Sequence, residues 1–406
     1  MTKIHGGLTG IFLVLAVVPC LLCAVPATAA RVNLTPSLSV TKEFNDNIFL
    51  DAEDEEQDWL TKAAAGLQLE RQSVRFQLQG TARLEGLKYL DNDELDALDQ
   101  HYLASGNYRL TPRLAVNGEA QYKRDSQADR DLAETGLALG TERRDSQSYG
   151  CGAEYALTER SRLSLGYAFS RIDYQEEDEA ADSDSHYAIL GWQYELTERL
   201  QGLANFNYSH SDFSGSRLDN AVLQAGFGFA STERWSLQAT AGARYTRSRY
   251  EELVPVLVVF PFVVYEKQDA SSSDWGWVAR LSASWQGERN KARLSLQREV
   301  RLASGRTGST ELSALVLSGS HRLTEKLSLT LAGGFYLNQA GTNEFAGEGI
   351  DELTLRLSPG LRYRWNEDLS VILGYNYTGL QDRETDEDST RNLAFIRLDY
   401  RYPVEL

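Results

Sequence analysis

The sequence predicts an all-β protein, a transmembrane antiparallel β-barrel of about 18 strands spanning residues 30–406 behind an N-terminal leader. Three observations predict it. Apolar and polar residues alternate with a period of two along most of the chain, the signature of strands with two unlike faces. Short turn-like tags recur at intervals of roughly 35 to 55 residues, a spacing that marks a repeated architecture. The segments between tags end in Trp, Tyr and Phe and alternate short with long connections, as strands of an outer-membrane barrel do.

The leader comes first. Lys3 precedes the apolar segment "GIFLVLAVVPCLLCAV", and "ATAA" (Ala27 to Ala30) supplies small residues for cleavage. Residues 1–29 therefore read as a signal peptide, cut after Ala29 or Ala30, and the mature chain is exported. Cleavage removes Cys20 and Cys23 and leaves Cys151 alone, so no internal disulfide is expected. The formal charge is -17 and the leader's only charge is Lys3, which makes the mature chain -18. So acidic a balance argues against nucleic acid as a partner.

Six tags share a pattern: "LTPRL" (Leu110), "LTERSRL" (Leu157), "LTERL" (Leu196), "STERW" (Ser231), "LTEKL" (Leu323) and "WNEDL" (Trp365). "ERQSV" (Glu70) and "QGERNKARL" (Gln286) fill the two remaining gaps, which makes eight short turns. Each is flanked by alternation. After "LTEK", Leu327, Leu329, Leu331, Gly333, Phe335 and Leu337 fall on one face and Ser328, Thr330, Ala332, Gly334, Tyr336 and Asn338 on the other. Eight turns join sixteen strands, and "VNLTPSLSVTKEF" and "NLAFIRLDYRY" add one at each end. An even count places both termini on the periplasmic side. A soluble β-sandwich also alternates, but strands of 10 to 14 residues with aromatic ends favour the membrane.

Energetics assigns the faces. An arginine on the lipid face at mid-membrane costs roughly 2–4 kcal/mol, so mid-strand arginines belong opposite the apolar stripe. Arg75, Arg83, Arg109, Arg244, Arg280, Arg293, Arg356, Arg362 and Arg397 are assigned to the pore lining on this ground. Arg298 breaks the pattern unless a bulge shifts its strand. Sixteen to eighteen strands leave a water-filled lumen, where fixed positive charge attracts anions; the same arginines also pair with acids along the wall.

Acidity gathers instead in the long connections: "DAEDEEQD" from Asp51, "DNDELDALD" from Asp91, "QEEDEAADSD" from Gln175 and "DRETDED" from Asp382. Strand counting puts all four outside the cell, where they are either solvated charge or ligands for divalent cations bridging to lipopolysaccharide phosphates. The run "LVPVLVVFPFVVY" from Leu253 is too short to span as a helix and is broken by Pro255 and Pro261. It reads as a hairpin extending beyond the membrane, or as a loop gate or partner contact carried by Val254, Val256, Leu257, Val259, Phe260, Phe262 and Tyr265. No enzyme signature stands out: His101, His186, His210 and His321 are scattered, none at metal-ligand spacing or beside a nucleophile, so no catalytic residue, metal or cofactor is expected.

The segment "NLTPSLSVTKEFNDNIFL", Asn33 to Leu50, and the "LTER" turns resemble a family of outer-membrane β-barrel porins associated with exopolysaccharide and exosortase gene clusters. The resemblance implies an outer-membrane conduit for a secreted polysaccharide, working with a periplasmic polysaccharide-export protein. A general or anion-preferring diffusion porin is the alternative within transport; a non-transporting surface barrel for capsule anchoring or adhesion is the alternative outside it. Other expected partners are outer-membrane lipids, lipopolysaccharide and the barrel-assembly machinery. The C-terminus departs from an aromatic end, Tyr402 being followed by "PVEL".

Overall fold

The computed structural model describes residues 31–126, 132, 135–136, 143–175, 182–213, 216–232, 234–259, 262–302, 309–340 and 349–406, with the backbone alone for 251–267, 269, 302 and 309. The leader lies outside them. In chain order the strands are β1 Arg31–Asn45, β2 Asp58–Gln72, β3 Phe76–Tyr89, β4 Ala97–Arg109, β5 Leu114–Asp125, β6 Arg144–Ala156, β7 Ser161–Tyr174, β8 Ser183–Glu195 and β9 Leu200–Phe213. They continue as β10 Ser216–Thr232, β11 Trp235–Val259, β12 Phe262–Gln286, β13 Asn290–Leu302, β14 Ser309–Arg322, β15 Leu327–Ala340, β16 Ile350–Arg364, β17 Leu369–Asp382, β18 Glu387–Arg401 and the two-residue β19 Val404–Glu405. Every long strand pairs antiparallel with its sequence neighbours, and β1 pairs with both β2 and β18, so eighteen strands close into a ring; the β12–β13 ladder is the short one, covering Ala279–Gln286 of β12 alone. Closure is what lets a hydrophilic chain cross lipid, because every backbone donor finds an acceptor around the wall. At the seam, "PVEL" continues the ladder: Val404 lies opposite Leu34, Glu405 opposite Asn33, and Arg31 Nε stands 3.0 Å from Glu405.

The eight short connections all fall at one end: 73–75, 110–113, 157–160, 196–199, the one that ends at Arg234, 287–289, 323–326 and 365–368. Their repeated Thr has a local cause. Thr111, Thr197 and Thr324 Oγ1 each accept the backbone N–H three residues on, at 3.0 Å. Asn366 Oδ1 does the same for Leu369 N at 2.6 Å, so a hydroxyl or amide oxygen closes the turn before the next strand begins.

Burial is inverted relative to a soluble protein. On β1, Leu38 and Val40 are 58% and 53% exposed while Thr41, Glu43 and Asn45 are below 10%. The exposed stripe is continuous across the pairings, from Leu398 opposite Val40 through Leu357 opposite Tyr377 to Leu223 opposite Phe206. Such a surface is stable only against lipid. Two aromatic pairs on β11–β12 frame it: Trp235 against Trp285 at 5.9 Å and Tyr245 against Trp275 at 5.0 Å. Ten residues of tilted strand separate the pairs, roughly 25 Å of height, the thickness of an outer-membrane apolar band.

β11 and β12 are longer than the alternation alone suggests, 25 residues each. β10 stops pairing at Ser216 opposite Tyr250, but β11 and β12 pair on to Val259 opposite Phe262, with a register shift at Pro255. The apolar run is therefore a two-stranded ribbon rising above the wall, in keeping with its β-branched valines. The backbone of Val254, Val256, Leu257, Val259, Phe262 and Tyr265 lies in this ribbon; Phe260 lies outside the described residues.

Candidate functional site

The functional surface of a closed barrel is its inner wall, read from each strand as the face opposite the lipid stripe. Arg83 and His101 meet across β3–β4, and Arg280 and Gln297 across β12–β13. Arg244, Arg293, Arg356, Arg362 and Arg397, and Arg109 at the end of β4, also stand on the inner face. Arg75 does not: Ser73 Oγ accepts from Phe76 N at 3.1 Å and makes 73–75 a turn, so Arg75 stands at the rim and not on a strand.

Their charges are not equally available. Arg397 Nε sits 3.1 Å from Asp399, and Arg280 reaches Glu299 at 2.9 Å. Arg83 pairs with Glu85 two residues along its own strand. Arg244 presents almost no charge to the lumen, being 2% exposed and held by Asp274 at 2.8 Å and by Glu311. Arg109, Arg293 and Arg362 are exposed and have no ion pair among the described residues. The wall thus combines satisfied pairs, which stiffen it, with a smaller set of open guanidinium groups.

Arg298 has no bulge beside it. The β12–β13 ladder ends on it, opposite Ala279, and the β13–β14 ladder runs through it, both without a shift, which places it on the lipid side. Glu311 accepts from it at 2.5 Å, Ser313 lies within 3.4 Å, and its guanidinium sits 4.6 Å over the Trp277 ring. A paired, ring-covered arginine escapes most of the cost that a bare one would carry in lipid.

The connection between β5 and β6 reaches into the lumen at Leu132, Thr135 and Gly136. Asn338 Nδ2 on β15 donates to Thr135 O at 2.8 Å, and Thr354 Oγ1 on β16 donates to Gly136 O at 2.5 Å. Both side chains belong to the inner face and are almost wholly buried, as are Tyr336 and Leu132. β6 and β15 are nine strands apart in a ring of eighteen, so the contact joins opposite walls. Ten residues separate Asp125 from Thr135, enough chain to reach about 35 Å, which is on the order of the width of an eighteen-stranded barrel. Gly136 has φ +74° and lies against the Tyr336 ring, where any Cβ would collide. Beside it, Leu312, Ala314 and Tyr336 form an apolar patch on the inner wall. A second inward contact packs Leu218 of β10 against Ala340 and Ile350, with Phe213 beside them. The only sequence signal was "DLAETGLALG", a long connection with apolar residues and glycine where its neighbours are acidic.

On the loop side, Asp58 is buried and accepts from the backbone N–H groups of Trp59, Leu90, Asp91 and Asn92. Asp96 accepts from Tyr89 N at 2.9 Å and from Lys88; the Lys88 hydrogen bond, then the backbone N–H, holds its carboxyl below the usual carboxylate range. These acids order connections.

Fold and inner wall together define an outer-membrane β-barrel, and the protein resides in the bacterial outer membrane. A family model described as outer membrane protein beta-barrel domain matches residues 48–230. Solved barrels similar to this chain include OccAB4 of Acinetobacter baumannii (9% identity, 93% of this chain and 99% of that chain, TM-score 0.44). OpdK of Pseudomonas aeruginosa (11%, 91% and 99%, 0.44) and OmpT, an outer membrane protein of Vibrio cholerae (13%, 93% and 99%, 0.40), are similar to the same degree. No curated protein matches.

Proposed function

We propose that this barrel is a passive, non-catalytic channel for hydrophilic anions, and that its cargo is a secreted acidic polysaccharide delivered by a periplasmic export protein. The observation that carries the reading is the inner wall, where Arg109, Arg293 and Arg362 are exposed without ion pairs among the described residues. Fixed positive charge in a narrow aqueous path favours anions, and eighteen strands are too many for their own side chains to fill. Asn107, Gln121, Asn205 and Ser209 on the same face add groups that hydrogen-bond sugar hydroxyls.

The inward β5–β6 connection favours a second reading, a diffusion porin for small anions, because it narrows the path to part of the barrel's width. Two measurements separate them. Purified barrel in planar bilayers under a salt gradient should give a reversal potential of anion-selective sign, reduced by Arg109→Gln, Arg293→Gln and Arg362→Gln together. Deleting the gene should abolish polymer export. Intact export with an anion-selective conductance would leave the diffusion porin, and no conductance with lost capsule retention would leave a surface anchor.

A further inference from the structure

The short-turn mouth of the barrel is uneven in charge. Around much of it the inner-facing residues nearest the turns are neutral or paired, as at Gln72, Gln77, Gln193, Ser236 and Ser284 and where Glu154 holds Arg162 at 2.8 Å; Arg109 on β4 and Lys291 and Arg293 on β13 are scattered cations without an ion pair among the described residues. Between β14 and β18 the pattern changes. Arg322 lies opposite Ser328, which lies opposite Arg362; Arg364 lies opposite Ser370, and Arg401 ends β18 beside it. Long cationic side chains thus alternate with serines on adjacent strands about 4.8 Å apart. The short residues leave a recess of about 300 Å³ that these four arginines and two serines line.

No carboxylate answers the four arginines. None of them has an ion pair among the described residues; the Arg364 guanidinium donates to the Glu325 backbone carbonyl, and all four are exposed. Lys326 also lines the recess, its Nζ 3.5 Å from Trp365 O. Glu325, Glu367 and Asp368 line it from the turns, so five cations face three acids. Asp399, opposite Ser370, is buried and held by Arg397. Arg83, Arg280 and Arg397 find acids two residues away or on the next strand; here the positions that would supply them are serines.

We propose that this recess binds a carboxylate-bearing sugar unit, and that it is the capture site for an acidic polysaccharide at the turn-side mouth. Guanidinium groups clasp carboxylates in two-pronged hydrogen bonds, and Ser328 and Ser370 hydroxyls between them meet ring hydroxyls. The site rests on the channel reading and gives its acidic cargo a place of first contact at the mouth.

Equilibrium binding tests this without requiring conduction. Trigalacturonate, maltotriose and inorganic phosphate are titrated into the purified full-length barrel in a neutral detergent at low salt, by calorimetry. Trigalacturonate should bind at one site, at least tenfold more tightly than phosphate, and maltotriose should give no heat. Arg322→Gln with Arg362→Gln should weaken it at least tenfold, and Ser328→Trp, which fills the recess and removes no charge, should do the same; each variant's heat-modifiable gel migration reports folding. Equal binding by the wild type and both kinds of variant, or phosphate as tight as trigalacturonate, overturns the proposal. A barrel that binds trigalacturonate but does not conduct refutes the channel and leaves the site. One that conducts anions but does not bind refutes the site and leaves the channel.

Discussion

Replacing Gly136 by alanine tests whether the β5–β6 connection narrows the lumen. The connection is held by two buried hydrogen bonds, from Asn338 to Thr135 O and from Thr354 to Gly136 O, worth about 1 kcal/mol each net. The fully buried Leu132 adds about 1.5–3 kcal/mol, so the connection is held by about 4 kcal/mol. Gly136→Ala opposes this twice. At φ +74° a side chain costs about 1–2 kcal/mol, and the new Cβ runs into Tyr336 Cβ and Cγ, for which overpacking costs about 1–3 kcal/mol. The sum nearly cancels the restraint, so docked and released states become comparable in population. In planar bilayers the wild type should hold one conductance level, while the variant should step between that level and a larger one. Tyr336→Gly removes the collision but keeps the left-handed strain, so Gly136→Ala should have a smaller effect in that background. An unchanged single level in Gly136→Ala, with the protein folded, would refute the reasoning.

Three further outcomes follow from the same kind of bookkeeping. Glu311→Leu removes an acceptor from both Arg244 and Arg298 and should destabilise the barrel by about 3 kcal/mol in urea refolding into vesicles, whereas Arg298→Leu, which takes a charge off the lipid face, should cost less than 1 kcal/mol or stabilise. Deleting residues 253–265 removes only ribbon above Tyr250, where β10 has already stopped pairing, so conductance and thermal migration should not change; a rise in conductance would make the ribbon a gate. The Asp96 carboxyl lies below its ordinary value because Lys88 and Tyr89 N donate to it. Its contribution to ordering 90–96 is therefore complete above about pH 4 and lost as pH falls through the depressed folded value. Protease nicking of that connection should rise in acid in the wild type, and in Asp96→Asn should be raised already at neutral pH.

The sequence by itself determined the wall. Period-two alternation leaves no second choice of face once arginine must avoid lipid, and Thr or Asn at the head of each tag closes a turn through its own oxygen. Strand number, turn positions and the side on which acidic runs gather all come from such local rules. Even the apolar run at Leu253 was legible as a hairpin, because valine-rich segments flanking a proline pair readily. Arg75 was misplaced by one residue, since the Ser73 turn reaches as far as the start of Phe76.

Tertiary structure decided what occupies and charges the lumen. Asn338 and Thr354 read as ordinary polar inner-face residues; their partners are 203 and 218 positions away in sequence, and no periodicity encodes a contact across the barrel. Arg244 and Arg362 look alike in the alternation, yet one is buried between Asp274 and Glu311 and the other is open at the mouth. Pairs such as Arg83 with Glu85 and Arg280 with Glu299 are local along a strand or across one ladder, so alternation can predict them; Arg244 reaches Glu311 three strands away, and which charges stay open depends on register between strands and on a connection folding inward, which only the closed ring brings together.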